Sequence, residues 1–217
     1  MKKFNTITTA ELYAKNIERT PFIVDEILPR GLTILGGLGK VGKSWFSFWL
    51  AMQVANGEPV WGFKTTKGTT LYLAFEDSEE RLQDRLFILS DEIENAPNNA
   101  HLCVEISKMG GELESSIRNF IFDYPDTKLI IIDTLQKVRG NTESNYISDY
   151  ENLNILKNLA DEYKIAIIVI HHLRKQKDTD IFNELTGSTA IQGAVDTMMV
   201  IAQSKRGDTF ADFHIVG

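Results

Sequence analysis

Eight consecutive residues, Gly37-Leu38-Gly39-Lys40-Val41-Gly42-Lys43-Ser44, set glycines, an ammonium and a hydroxyl in the order G-x-x-x-x-G-K-[ST]. That order suits a polyphosphate. Phosphate oxygens are held by backbone N–H groups at a helix N-terminus, where unpaired donors and the macrodipole both favour negative charge. Gly37, Gly39 and Gly42 are expected to adopt backbone angles that a Cβ would resist, turning successive amides toward one phosphate. Lys43 would then reach the β and γ phosphates, and the Ser44 hydroxyl would face Mg²⁺. Leu32-Thr33-Ile34-Leu35 reads as a strand before the loop, and Trp45-Phe46-Ser47-Phe48-Trp49-Leu50-Ala51 as a helix after it. Strand, glycine loop and helix in that order imply a nucleoside triphosphate site formed by residues 37–45.

Two further strand ends carry acids. Leu129-Ile130-Ile131-Ile132-Asp133 is apolar until its last residue, which makes Asp133 the expected partner of Ser44 at Mg²⁺. Thr70 to Phe75 runs into Glu76-Asp77-Ser78, and one of the two acids is a candidate base for an attacking water. Successive strand side chains point to opposite faces, so Glu76 and Asp77 cannot both face a γ-phosphate. Asp77 or Ser78 is expected to cap the helix that follows, with Glu79, Glu80 and Arg81 on its solvated first turn.

His171-His172 closes another apolar run, Ile165 to Ile170. Zinc is excluded because adjacent strand residues diverge and no third ligand of suitable spacing follows. One histidine is expected to sense the γ-phosphate while the other packs or is exposed. Arg174, Lys175 and Lys177 come next and are candidate contacts to nucleic-acid phosphates, although Asp178 and Asp180 weaken the local field. Residues 139–146 form a second polar loop on the same side.

The whole chain bounds these readings. Its 217 residues, 43% hydrophobic and 24% charged, suit one well-buried domain. A single cysteine, Cys103, excludes an internal disulfide and a Cys-rich zinc site, agrees with a reducing cytosol, and reads from its apolar flanks as a buried thiol in a strand. Two N-terminal lysines have no apolar run behind them, and no segment is long enough to cross a bilayer, so a soluble, cytoplasmic protein is expected. A net charge of −7 excludes a broadly basic nucleic-acid surface and leaves only local contact.

The elements that must position these groups alternate. Residues 1–20 read as an N-terminal extension with a short helix around Thr9 to Asn16, and residues 21–217 as the main domain. Strands are expected near Phe22 to Val24, then at Thr70 to Phe75, Leu102 to Ile106, Leu129 to Ile132 and Ile165 to Ile170. Helices are expected at Lys43 to Asn56, Glu79 to Glu94, Glu112 to Phe122 and Tyr150 to Tyr163. Strands that are apolar at every position belong in a parallel sheet covered on both faces. Thr197 to Ala202 and Phe210 to Val216, joined by a glycine-containing turn, predict an antiparallel hairpin at the sheet's edge. The expected fold is a three-layer α/β sheet. Gly217 follows directly on a strand pattern, from which a C-terminal truncation is expected.

Taken in order, Gly39-Lys40-Val41-Gly42-Lys43-Ser44-Trp45, Leu71-Tyr72-Leu73-Ala74-Phe75-Glu76-Asp77-Ser78, Ile131-Ile132-Asp133-Thr134-Leu135, Val169-Ile170-His171-His172-Leu173-Arg174-Lys175, and Gly187-Ser188-Thr189-Ala190 with Gly193-Ala194-Val195-Asp196 resemble the RecA-like P-loop ATPases. Within them the chain is most similar to the RepA-type hexameric helicases of plasmids, phages and mobile elements, which are AAA-type ATPases. The resemblance spans Phe22 to Gly217. It implies an ATP hydrolase using ATP and Mg²⁺, with Glu76 as the catalytic glutamate and His172 as the residue reporting γ-phosphate to the nucleic-acid-facing loop. It further implies a homo-oligomeric ring with ATP between subunits, single-stranded DNA in the channel, and an arginine finger from the neighbour. Lys205 and Arg206 are the candidates for that finger here, whereas related proteins often carry it further on, beyond the position of Gly217. The alternative is a regulatory or recombination-mediator ATPase of the same fold, acting on a protein partner without unwinding; the acidic charge favours it and the ordered motifs favour the helicase.

Overall fold

The computed structural model describes residues 4–16, 22–90, 92, 96–105, 111–138, 146–173, 178–185, 193–205 and 207–217. Helix α1 (Thr9–Ala14) opens with a capping box in which Thr8 and Glu11 satisfy each other's backbone, and none of its residues is buried. Strands β1 (Phe22–Val24) and β2 (Leu28–Pro29) form a small antiparallel pair. The main sheet begins with β3 (Gly31–Gly37), followed by α2 (Lys43–Asn56), β4 (Thr69–Ala74), α3 (Glu79–Leu89), β5 (Ala100–Cys103), α4 (Gly111–Asp123) and β6 (Thr127–Asp133). A short α5 (Leu135–Val138) and long α6 (Tyr146–Tyr163) lead to β7 (Ala166–His172), a 3₁₀ turn at Ile181–Glu184, β8 (Thr197–Ala202) and β9 (Asp212–Val216).

The seven strands lie in the order β5-β4-β6-β7-β3-β8-β9, parallel except for the β8–β9 pair. Strand alternation sorts their side chains into two cores. In β7, Ile167 and Val169 join a core with α4, α5 and α6, whereas Ala166, Ile168 and Ile170 join one with α2, α3 and β1. β6 divides the same way, with Ile130 and Ile132 on one face and Leu129 and Ile131 on the other. Burial on both faces is why these strands read as unbroken apolar runs. Each such side chain contributes about 1.5–3 kcal/mol relative to exposure. The expected three-layer sheet with an antiparallel edge is the observed one.

Several boundaries differ, for local reasons. The strand expected at Leu102 to Ile106 begins at Ala100 and ends at Cys103, on the sheet's outer edge. An edge strand has a neighbour on one side only, so Leu102 is 41% exposed and Cys103 is half-buried, not the buried thiol its flanks suggest. α3 stops at Leu89, where Ser90 leaves helical geometry. α6 starts at Tyr146, a turn earlier than expected. β9 starts at Asp212 because Phe210 is 86% exposed and has no core to join. β2, α5 and the 3₁₀ turn have too few residues to show a hydrophobic period. Among the described residues no helix is long and apolar enough to cross a membrane.

Candidate nucleotide site

β3 ends at Gly37, and the chain turns through residues 38–42 into α2. A Cβ on Gly37 would lie 2.7 Å from Val41 Cγ1 and 2.9 Å from the Ile201 carbonyl, so this position takes glycine for close packing. Gly42 caps α2 at φ +101°, a left-handed conformation that favours glycine. Gly39 corrects the expectation of three conformationally demanding glycines. Its φ is not positive, and a Cβ there would meet nothing within 4 Å; the left-handed residue of the turn is Lys40, at φ +69°. The first turn of α2 contains no acid and receives no side-chain cap, so its amide donors are not satisfied by the protein's own carboxylates.

Lys43 is 5% exposed and donates from Nζ to the carbonyls of Gly37 at 2.7 Å and Leu38 at 2.9 Å. Burial pushes its pKa down, and the charges of Asp133 and Glu76 oppose that shift. Its ammonium stands 3.4 Å from Nδ1 of His172. Sheet register brings the two together, because Gly37 of β3 pairs with His172 of β7. His171, one residue earlier, faces the other way and is buried, as the alternation requires.

Asp133, at the end of β6, is 2% exposed and accepts a hydrogen bond from the Tyr72 hydroxyl at 2.7 Å and another from the Ser44 side chain. Burial raises its pKa; these two donors pull it back, and the charges of Glu76 and Asp77 push it further up. Burial likewise drives the Tyr72 phenol far above its ordinary range, so Tyr72 acts here as a donor only. Ser44 and Asp133 together offer hard oxygen ligands, and among the described residues no group of three His, Cys, Asp or Glu could hold a metal alone. That donor set fits Mg²⁺, which is commonly bound by one or two protein oxygens together with substrate phosphates and water.

Beyond β4 the two acids part. Glu76 is exposed and accepts from the Thr134 hydroxyl at 3.0 Å. Asp77 turns into the protein, where Arg85 binds its carboxylate. The capping role falls to Ser78, whose hydroxyl accepts from the Arg81 amide, and not to Asp77. Trp45 is 39% exposed, with the Arg85 guanidinium over its ring. Sheet order thus brings Lys43, Ser44, Glu76, Asp133 and His172 together at the carboxyl ends of adjacent strands, the edge where ligands of open α/β sheets collect. Arg174, Lys175, Lys177 and Arg206 lie outside the described residues. Lys205 sits exposed in the β8–β9 turn, its amide bonded to Asp208, away from the cluster just described.

Tyr72, Thr134 and Arg85 belong to the site although no sequence motif marks them. Tyr72 shares a strand face with Ala74, which pairs with Asp133, so the alternation contains the signal. Thr134 follows Asp133 directly. Arg85 is eight residues from Asp77, outside the i,i+4 spacing by which helix ion pairs are found.

A family model described as an AAA domain matches residues 2–178. No curated protein matches the sequence. Among solved structures, one described as an isolated ATPase domain superposes with a TM-score of 0.63 at 13% identity, covering 86% of this chain and 76% of that one. "The Structure Of A DnaB-Like Replicative Helicase And Its Interactions With Primase" gives 0.64 at 12% identity over 86% of this chain and 54% of that one, so the chain spans about half of that protein's length. At these identities the likeness is one of fold. With the family model matched over most of its length, the chain belongs to the AAA domain family and has the RecA-like P-loop ATPase fold.

Proposed function

We propose that this protein is a magnesium-dependent ATPase, the motor domain of a RepA-like helicase that moves on single-stranded DNA in plasmid, phage or mobile-element replication. The observation that carries this reading is the contact set at one sheet edge: Lys43 beside His172, Ser44 on Asp133, and Thr134 on Glu76. A cleft of about 560 Å³ adjoins the loop, walled by Leu38, Val41, Leu173, Ile181 and Ile201, and gives a nucleotide room beside the phosphate cradle.

Magnesium ATP, when bound, supplies the transferable phosphoryl group and a cation that neutralises charge on it. Ser44 and Asp133 are the residues that would hold the cation. Lys43 directs a positive charge at the phosphates, and the loop amides donate to their oxygens. Glu76, exposed and fixed through one oxygen by Thr134, takes the proton from the attacking water. His172, next to Lys43 and at the head of the segment carrying Arg174, Lys175 and Lys177, reports the phosphate state to the DNA contacts. The structural neighbour named as a replicative helicase supports a ring of identical subunits, in which an arginine from the adjoining subunit completes each site.

The test separates binding from turnover. Lys43→Ala loses nucleotide affinity, whereas Glu76→Gln binds ATP and does not hydrolyse it; parental hydrolysis by Glu76→Gln removes the assigned base. The net charge of −7 favours the rival, a regulatory ATPase acting on a protein partner. Anisotropy with single-stranded DNA at two salt concentrations decides between them. Salt-sensitive binding modulated by ATP supports the motor, and no binding by the assembled ring at low salt supports the rival.

A further inference from the structure

Asp77 follows the proposed base by one residue, yet its side chain is only 6% exposed and turned away from it. A buried carboxylate needs a counterion, and Arg85 on α3 provides one with a two-pronged contact: Nη2 donates to Oδ1 at 3.1 Å, and Nη1 donates to Oδ2. Arg81 does not substitute for it, because its side chain is 68% exposed and its nearest approach is 4.0 Å. The same Arg85 guanidinium lies over the indole of Trp45, Cζ 5.5 Å from the ring centroid. Its edge meets the carboxylate and its face meets the aromatic ring, a division of labour that a lysine cannot reproduce.

Each of the two residues it grips is a neighbour in sequence of a proposed catalytic group. Asp77 adjoins Glu76, and Trp45 adjoins Ser44. The turn between them and the sheet is closed by the Asp77 amide on the Ala74 carbonyl at 3.1 Å and the Phe75 amide on the Asp133 carbonyl at 2.9 Å. With Asp77 clamped on the α3 side, Glu76 faces Thr134 and the phosphate edge.

We infer that Arg85 is a positioning residue for phosphoryl transfer: by tying Asp77 to Trp45 it holds Glu76 in register with the Ser44 end of the P-loop helix. This rests on the ATPase reading above. A base displaced by about an ångström loses on the order of a hundredfold in rate. Arg85→Gln is therefore expected to lower kcat by about a hundredfold while nucleotide KM stays within about twofold, and Arg85→Lys, which keeps the charge without the fork, restores part of the loss.

Two controls distinguish positioning from general support of the fold. The paired variant Asp77→Asn with Arg85→Gln leaves no orphaned buried charge; it should melt close to the parent and still show the kcat loss. In the Glu76→Gln background, Arg85→Gln should change the residual rate no further, because the group it positions is gone. Parental kcat in the paired variant, a proportional fall of affinity with kcat, or an equal fractional loss in the Glu76→Gln background would each overturn the inference. A parent protein that hydrolyses no nucleoside triphosphate takes the ATPase reading down with it, whereas an active parent with indifferent Arg85 variants overturns this inference alone.

Discussion

The phenol of Tyr72 donates its hydrogen to Oδ2 of Asp133 at 2.7 Å, across the β4–β6 pair and out of reach of solvent. The carboxylate thus sits between a donor from the sheet and a donor from the P-loop helix, since Ser44 also bonds to it. Neither donor competes for its charge.

Tyr72→Phe withdraws the sheet's donor while keeping the ring, which stacks on Phe48 at 5.8 Å. A hydrogen bond to a charged group contributes about 1.5–3 kcal/mol, and a loss of that size is expected in urea unfolding at neutral pH. An unfolding free energy equal to the parent's would show that the bond contributes nothing.

Asp133 also predicts a pH dependence. Burial raises its folded pKa, so the folded state binds this proton more tightly than the unfolded chain does. Stability from this group is complete below the unfolded aspartate value, about 3.9, and is lost as pH rises through the raised folded value. Asp133→Asn removes the buried charge. In magnesium-free, nucleotide-free buffer the variant should melt above the parent at neutral pH, with the gap closing as pH falls toward the unfolded value; melting curves across pH check this, and a gap independent of pH contradicts it.

Thr134→Val keeps the shape of a buried side chain and withdraws its hydrogen bond to Glu76. The base then loses its orientation, and kcat is expected to fall by about tenfold or more with the nucleotide dissociation constant unchanged. Steady-state hydrolysis alongside equilibrium binding reads both quantities, and a change confined to binding would assign Thr134 to the nucleotide instead.

Two glycines of the loop should respond differently to alanine. At Gly37 the new methyl would lie 2.9 Å from the Ile201 carbonyl, a backbone atom that cannot swing aside, so Gly37→Ala should destabilise the fold by about 1–3 kcal/mol. At Gly39 the methyl meets no protein atom, so Gly39→Ala should melt like the parent and show its effect only in nucleotide affinity. Thermal melts paired with nucleotide titration separate the two, and equal melting losses would contradict the difference in packing.

Much of the fold and of the site is legible in the sequence because the physics is local or strictly periodic. Lys43 to Asn56 forms a helix between two left-handed glycines, Gly42 and Gly57, and both ends can be read from composition. β6 and β7 announce themselves through apolar runs that only a doubly covered strand tolerates. The hidden parts depend on side chains that meet across the sheet or from another element. The Tyr72–Asp133 and Asp77–Arg85 contacts have no one-dimensional signature, and Asp77 resembles a helix cap because capping and ion pairing use the same residue type. Cys103 reads as buried and is not, because an edge strand and a central one share composition and differ in neighbours.

The strands that bear the site are neighbours in space and strangers in sequence. Lys43 and His172 are 129 positions apart, Tyr72 and Asp133 are 61 apart, and Glu76 and Thr134 are 58 apart. Contacts of such separation form only after long loops have closed, which places them late in folding. Hydrolysis by this protein therefore gauges the completeness of the whole β4-β6-β7-β3 array: a chain with the glycine loop already formed but β7 undocked would have the ammonium in place and lack the histidine beside it.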